Sequence, residues 1–294
     1  MKKLLNFFII KFIGVYINFL SFVYPKKAVE LAHSFFSEPR IGKLSKDNLP
    51  EILKESHSEA FQYKDDTIQT YIWQGNETVI LLVHGWESNS SRWENLLPYL
   101  KKSGSTIIAV DGPAQGLSSG KEFTIPKYAE FIHVIVEKFK PKYIIGHSMG
   151  GKTCLYYQYK YQSTSIQKMV VLGSPSDFKI IFQNFIDLLS LNSKISKALE
   201  KKYIAILNRN LEEFSGQLFA AEIDIKGLVA HDIDDEIVLF KEAKKIVGAW
   251  KDVHFIETSG LGHRLHDDDL YRKIYEFLFS PHSDSHQRRR EIKN

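Results

Sequence analysis

A serine between glycines offers the clearest chemistry in this sequence of 294 residues. Residues 146–150 read Gly-His-Ser-Met-Gly, which has the form G-x-S-x-G. This segment follows a short apolar run at residues 143–145 and precedes a helical pattern. In such a strand–turn–helix setting a serine occupies a strained turn, and its hydroxyl is exposed at the positive end of the helix. We therefore predict that Ser148 is a nucleophile.

The sharp turn that carries such a serine is called a nucleophile elbow. The base and the acid are expected after the serine, because enzymes with this elbow present serine, acid and histidine in that chain order. His263 fits the base, since it ends a glycine-rich loop, Gly-Leu-Gly-His, after the last predicted strand. His266 is the weaker choice because a helix begins close to it. An acidic run follows the strand that ends at Ala230, and any member of it could instead cap the next helix. Its three aspartates are Asp232, Asp234 and Asp235.

Taken together, these segments resemble the α/β-hydrolase superfamily across roughly residues 60–280, most closely its bacterial esterase- and lysophospholipase-like members. The resemblance is carried by residues 84–86 (His-Gly-Trp), 111–118, 146–151, 231–238 and 260–263. It implies that Asp235 is the acid, with Asp234 as the first alternative and Asp232 as the second.

The same resemblance implies an oxyanion hole made of two backbone N–H groups. One belongs to Met149, the residue after the nucleophile, and the other to Trp86, the third residue of the His-Gly-X motif. The loop at residues 111–118 is expected to organise the turn after its strand rather than to take part in the chemistry.

Alternating apolar runs and helical patterns favour an α/β fold with a mostly parallel central sheet flanked by helices, in which sites form at the carboxyl ends of the strands. We predict one α/β-hydrolase domain over residues 59–280. Residues 175–221 have helical periodicity and predict a helical cap inserted in it, or a long crossover. The predicted strands are 67–73, 78–83, 106–110, 143–145, 169–172, 225–230 and 253–256, and the predicted helices are 126–139, 149–161, 236–247 and 270–279.

The N-terminal segment, residues 1–58, begins with a very apolar stretch over residues 4–24. Within it Lys11, Gly14, Asn18 and Ser21 recur at helical spacing as one narrow polar stripe. This pattern predicts a helix, residues 1–24, that contacts a membrane surface, although a spanning helix, a helix packed on the domain and a cleaved signal stay open. Residues 281–294 are predicted to be a solvated polar tail.

Bulk composition narrows the classes of partner. A net charge of +4 is too small and too dispersed for a nucleic-acid binder. The single cysteine, Cys154, cannot form an intrachain disulfide and is expected to pack in the core, which fits a reducing, cytoplasmic location. No motif calls for a metal or an organic cofactor.

The sequence thus predicts a serine hydrolase that acts on carboxylic esters through an acyl-enzyme. The apolar N-terminal helix and the aliphatic cap favour a small-molecule or lipid-like acyl substrate. Peptide or thioester hydrolysis, perhydrolysis and a catalytically silent binding protein of the same fold remain alternatives, because a fold alone does not decide the reaction.

Overall fold

One eight-stranded sheet forms the centre of the molecule, with the strand order β1-β2-β4-β3-β5-β6-β7-β8. The computed structural model describes residues 2–280, with side chains from residue 8 onward, so the predicted tail at 281–294 lies outside the described residues. The strands are β1 (His57–Tyr63), β2 (Asp66–Trp73), β3 (Asn76–Val83), β4 (Ser105–Val110), β5 (Tyr143–His147), β6 (Lys168–Leu172), β7 (Lys226–Asp232) and β8 (Val253–Thr258).

The sheet is mostly parallel, as predicted, because β3 to β8 all run in one direction. The exceptions are β1 and β2, which pair antiparallel with each other, while β2 pairs antiparallel with β4. Strand β1 is missing from the sequence prediction. It lies at the edge of the sheet, and its residues alternate between exposed and half-buried without a continuous apolar run.

Helices cover both faces of the sheet. Successive residues of a strand point to opposite faces, so Leu81 and Val83 of β3 join one core while Ile80 and Leu82 join the other. The helices are α1 (Lys2–Val23), α2 (Pro25–Ser37), α3 (Glu51–Lys54), α4 (Leu97–Lys101), α5 (Ile125–Phe139), α6 (Met149–Tyr161), α7 (Phe178–Leu189), α8 (Ser193–Leu207), α9 (Gly216–Ala221), α10 (Lys241–Ala249) and α11 (Asp268–Phe279).

Helices α7, α8 and α9 stand between β6 and β7, where the sequence has helical periodicity and no strand. We call these three helices the cap. The helix predicted at residues 236–247 begins only at Lys241. The reason is local: the Asp235 carboxylate accepts hydrogen bonds from the N–H groups of Ile237 and Val238, at 2.8 and 2.9 Å, and this turn delays the helix.

The N-terminal segment begins with two helices, α1 and α2, which are separated just before Pro25, a residue well suited to the first position of a helix. The polar stripe of α1 lies against the cap. The Lys11 ammonium donates to the carbonyl of Leu188 at 2.9 Å, and the Asn18 amide donates to the carbonyl of Ser190 at 2.8 Å. No helix among the described residues is both long and apolar enough to span a bilayer.

Candidate active site

Ser148 stands in the sharp turn between β5 and α6. Its backbone has φ 54° and ψ −123°, in the left-handed half of conformational space that non-glycine residues rarely adopt. The flanking glycines make the turn possible. A Cβ on Gly146 would lie 2.6 Å from the Cα of Gly151, and a Cβ on Gly150 would lie 2.3 Å from the carbonyl oxygen of Val83. The strained backbone therefore holds the Ser148 hydroxyl at the carboxyl end of the central strand.

The structure brings Ser148, His263 and Asp235 together from three different segments. The Ser148 hydroxyl lies 3.0 Å from Nε2 of His263, and Nδ1 of His263 lies 2.8 Å from Oδ2 of Asp235. His263 sits in a short 3₁₀ turn after β8, and Asp235 follows β7. In this arrangement Nδ1–H donates to the carboxylate, which leaves Nε2 free to accept the serine proton.

The carboxyl group of Asp235 is fully buried yet held ionised. Burial by itself raises the pKa of Asp235, but hydrogen bonds from His231, His263 and the Val238 N–H outweigh it and hold this pKa well below its usual range. A permanently charged acceptor opposite Nδ1 favours an imidazolium at His263 when that ring takes up a proton.

The two other aspartates of the acidic run hold the loop that leads to His263. Asp232 Oδ2 accepts from the Thr258 hydroxyl at 2.7 Å and from the Leu261 N–H at 3.0 Å. Asp234 Oδ2 accepts from the Ser259 hydroxyl and the Gly260 N–H, both at 2.9 Å. Neither carboxylate has a hydrogen bond to His263 within the described chain, so Asp235 alone of the three occupies the place of the acid.

Two further histidines lie near His263. His266, the weaker sequence candidate for the base, has Nδ1 2.5 Å from the Tyr271 hydroxyl and does not reach Ser148. His147, which the sequence analysis gave no role, donates from Nε2 to the backbone carbonyl of His263 at 2.8 Å. Burial, with the nearby charge of Arg92, holds the pKa of His147 well below its usual value, so the ring stays neutral. His147 thus anchors the base from the other side of the elbow.

Trp86 and Met149, whose N–H groups are the predicted oxyanion donors, line the same pocket as Ser148. Gly85 allows the close approach, since a Cβ there would lie 2.9 Å from the Cβ of Ser148. The preceding His84 fixes this loop: its Nδ1 donates to the Gly85 carbonyl at 2.7 Å, and its Nε2 accepts from the Gly112 N–H at 2.8 Å.

The loop at residues 111–118 is organised by the buried carboxylate of Asp111. Its Oδ1 accepts from the backbone N–H and the hydroxyl of Ser90, at 2.9 and 2.7 Å, and its Oδ2 accepts from the Leu117 N–H at 2.8 Å. These bonds join the turn after β4 to the turn that follows β3, and they place Asp111 in a supporting role.

A pocket of about 530 Å³ opens onto Ser148. Its walls come from α2, from the cap and from the loop before α5, and they are dominated by aromatic and aliphatic side chains. Among its lining residues are Phe35, Phe36, Phe123, Phe178, Ile181 and Phe185. No group of three or more His, Cys, Asp or Glu side chains in residues 8–280 is arranged to hold a metal ion.

Comparison with known proteins agrees with the fold. A family model described as alpha/beta hydrolase fold matches residues 78–222. A serine hydrolase-like protein of Danio rerio is 31% identical over 115 residues, which cover 36% of this chain and 35% of that protein. Phospholipase YtpA of Bacillus subtilis is 23% identical over 172 residues, 55% of this chain and 61% of that protein. The chain therefore matches about a third to three fifths of the length of these relatives.

Among solved structures, Est1E of Butyrivibrio proteoclasticus, with ferulic acid bound, superposes with a TM-score of 0.65. The superposition covers 75% of this chain and 97% of Est1E at 17% sequence identity. The central sheet, its flanking helices and the elbow at Ser148 thus follow a fold that is already known.

Proposed function

The chain belongs to the α/β-hydrolase superfamily, and we propose that it is a serine hydrolase that cleaves carboxylic esters of apolar, lipid-like acyl groups. One observation carries the proposal. Ser148, His263 and Asp235 form a hydrogen-bonded series, and Ser148, the first member, lies at a pocket with apolar walls. A hydroxyl is a weak nucleophile unless an oriented base removes its proton, and this series supplies such a base.

The proposed reaction is acyl transfer in two steps. The Ser148 oxygen attacks the acyl carbonyl carbon while His263 Nε2 takes the hydroxyl proton, and the Trp86 and Met149 N–H groups bind the oxyanion. When this intermediate collapses, the bond to the leaving alcohol breaks and His263 protonates the alcohol. Water, deprotonated by His263, then attacks the acyl-enzyme, and the acid leaves as the proton returns to Ser148.

The walls of the pocket support an apolar acyl group. Phe35 and Phe36 of α2 line the pocket together with Phe178 and Phe185 of the cap, and its volume of about 530 Å³ is large enough for an extended chain. Each methylene group transferred from water to such walls contributes about 0.8 kcal/mol. A long acyl chain therefore gains binding free energy that a short one cannot obtain.

A fluorophosphonate probe tests the nucleophile directly, since it reacts only with an activated serine. We expect the full chain to be labelled and Ser148→Ala to be unlabelled. Ser174→Ala is the matched control, because this buried serine lies beside the elbow without contacting His263, and it should label like the wild type. Labelling of Ser148→Ala contradicts the assignment of Ser148 as the nucleophile, and no labelling of the wild type leaves a silent binding protein.

A series of soluble esters with acyl chains of increasing length tests the substrate class. We expect kcat/KM to rise by about threefold to fourfold per methylene group until the pocket is filled. A flat series would contradict the acyl pocket, and faster cleavage of matched thioesters or peptide amides would contradict the ester assignment.

A further inference from the structure

Helix α1 carries its polar residues toward the protein and its apolar residues toward the outside. Lys11, Asn18 and Ser21 bond to the end of α7 and the start of α8: Asn18 accepts from the Asn192 N–H at 2.8 Å, and Ser21 accepts from the Asn192 amide at 2.9 Å. Gly14 lies directly on the carbonyl of Leu189. This orientation is the reverse of an amphipathic helix on a water-soluble surface.

The opposite side of α1 is a continuous apolar surface, which we call the outer face. It consists of Phe12, Val15, Tyr16, Phe19, Phe22 and Val23, whose exposed fractions range from 46% to 75%. These positions recur at three- and four-residue spacing, so they share one side of the helix. An exposed apolar row of this length marks a surface that contacts something apolar.

Lysines lie beyond one end of the outer face and along one side of it. Lys26 and Lys27 are exposed directly after α1, and Lys194, Lys197 and Lys201 recur on an exposed side of α8. Lys194 lies at the margin of the outer face, with its ammonium 5.7 Å from the centre of the Phe22 ring. An apolar helix bordered by lysines matches the hydrocarbon boundary and the anionic headgroups of a bilayer.

The last turn of α7 lies between α1 and the pocket. The carbonyl of Leu188 accepts a hydrogen bond from Lys11 of α1, while the Leu188 side chain is 52% exposed and lines the pocket. Leu188 therefore brings exposed apolar surface at the pocket close to α1.

We propose that the outer face of α1 docks on the surface of a lipid bilayer, with the helix lying in the plane of the interface and the lysines against anionic headgroups. A second copy of the chain is a poorer occupant. The sequence has lysines at both ends of α1, with Lys2 and Lys3 as its first residues and Lys26 and Lys27 shortly after its last one. Parallel and antiparallel pairing of two such helices would both bring lysines together.

Docking in this orientation places the mouth of the pocket near the membrane, so that an acyl ester passes from the bilayer into the pocket without crossing water. This delivery step rests on the proposed function, whereas docking itself does not. The two can be separated by experiment because binding to vesicles needs no intact nucleophile.

The test is flotation of the full chain with vesicles of phosphatidylcholine containing phosphatidylglycerol. The variant Phe12→Gln/Phe19→Gln should lose about a hundredfold or more in partition coefficient, because burial of each phenylalanine accounts for a factor of about ten or more. Ile41→Gln/Leu218→Gln is the matched control: both residues are exposed apolar side chains away from α1, and binding should be unchanged. Phosphatidylcholine alone should bind the wild type at least about tenfold more weakly.

Both double variants should keep wild-type circular dichroism and wild-type rates on a soluble short-chain ester. Equal vesicle binding by the wild type and Phe12→Gln/Phe19→Gln overturns the proposal. It is also overturned if the wild type ignores vesicles and forms a dimer that this variant dissociates, measured by sedimentation equilibrium. Vesicle binding without fluorophosphonate labelling supports docking and rejects the serine hydrolase, whereas labelling without vesicle binding does the reverse.

Discussion

At the end of β7, three aspartates within four residues have two different roles. Asp235 is buried and bonded to Nδ1 of His263, while Asp232 and Asp234 bond to residues 258–261 and shape the loop before it. The three side chains leave the turn in different directions, and of the three only Asp235 meets Nδ1 of His263.

Asp235→Asn should lower kcat on a soluble ester by up to about four orders of magnitude, because an amide at this place no longer fixes the tautomer of His263 or stabilises its imidazolium. Asp234→Asn is the matched control. It changes the same functional group one residue away, and we expect less than about a tenfold loss because only the loop is affected. Steady-state kinetics of the two proteins decide the matter, and a larger loss from Asp234→Asn would reassign the acid.

For single residues, the sequence predicts a role where a short motif or the chain order constrains the position. The glycines at 146 and 150 identify Ser148, and chain order with the glycine-rich loop identifies His263. The contact from His147 to the carbonyl of His263 was not predictable, because it joins residues 116 positions apart and no sequence motif accompanies it. The loop-holding roles of Asp232 and Asp234 were hidden for the same reason.

At the scale of elements, buried parallel strands and long helices were predictable, because both have a strong periodicity. Strand β1 was not, since an edge strand that is nowhere fully buried lacks the apolar run. The start of α10 was misplaced because the acidic run looked like a helix cap, whereas Asp235 forms a turn of its own before the helix.

The polar stripe of α1 was visible in the sequence, but the surface that it meets was not. A helix leaves its last carbonyl groups without partners, and a cation there is favourable. Lys11 and Asn18 satisfy the carbonyls of Leu188 and Ser190 at the end of α7. Helix α1 thus completes the C-terminal end of a cap helix, a match that depends on tertiary structure.

Gly14→Ala tests how closely α1 and α7 fit. An added Cβ would lie 1.7 Å from the carbonyl oxygen of Leu189, so the helices must separate. We expect the free energy of unfolding to fall by about 1–3 kcal/mol. The control is Gly248→Ala in α10, where a Cβ meets nothing within 4 Å and alanine should stabilise the helix by up to about 1 kcal/mol. Urea titration of both proteins measures this, and equal stabilities would show that the contact is loose.

At the scale of the whole molecule, Lys152 joins the cap to the sheet domain. It is fully buried in α6, one turn after Ser148. Its ammonium donates to the carbonyl of Ser176, where the chain enters the cap, and to the carbonyl of Phe214, between α8 and α9. Burial lowers the pKa of Lys152 to about 7, although Asp177 and Glu242 act against this.

Lys152→Met should therefore change how stability depends on pH. Between the folded pKa of about 7 and the ordinary value of 10.5, the unfolded chain binds a proton that the folded chain does not. Stability from this group thus rises with pH across that window, by at most about 1.4 kcal/mol per pH unit, and methionine cannot titrate. In urea unfolding at several pH values, the free energy of unfolding of the wild type should rise with pH relative to that of the variant. A difference between the two that does not change with pH would contradict the burial effect.

The aromatic pair Phe35 and Phe36 has a practical consequence for how this protein is produced. Both side chains line the pocket, and the Phe36 ring packs against Phe182, Phe185 and Tyr203, yet they lie outside the matched family region of residues 78–222. A recombinant form trimmed of its first two helices to improve yield would keep Ser148, His263 and Asp235 but lose one side of the pocket. By the proposed function, such a preparation would still hydrolyse small esters and would misreport the selectivity of the intact chain.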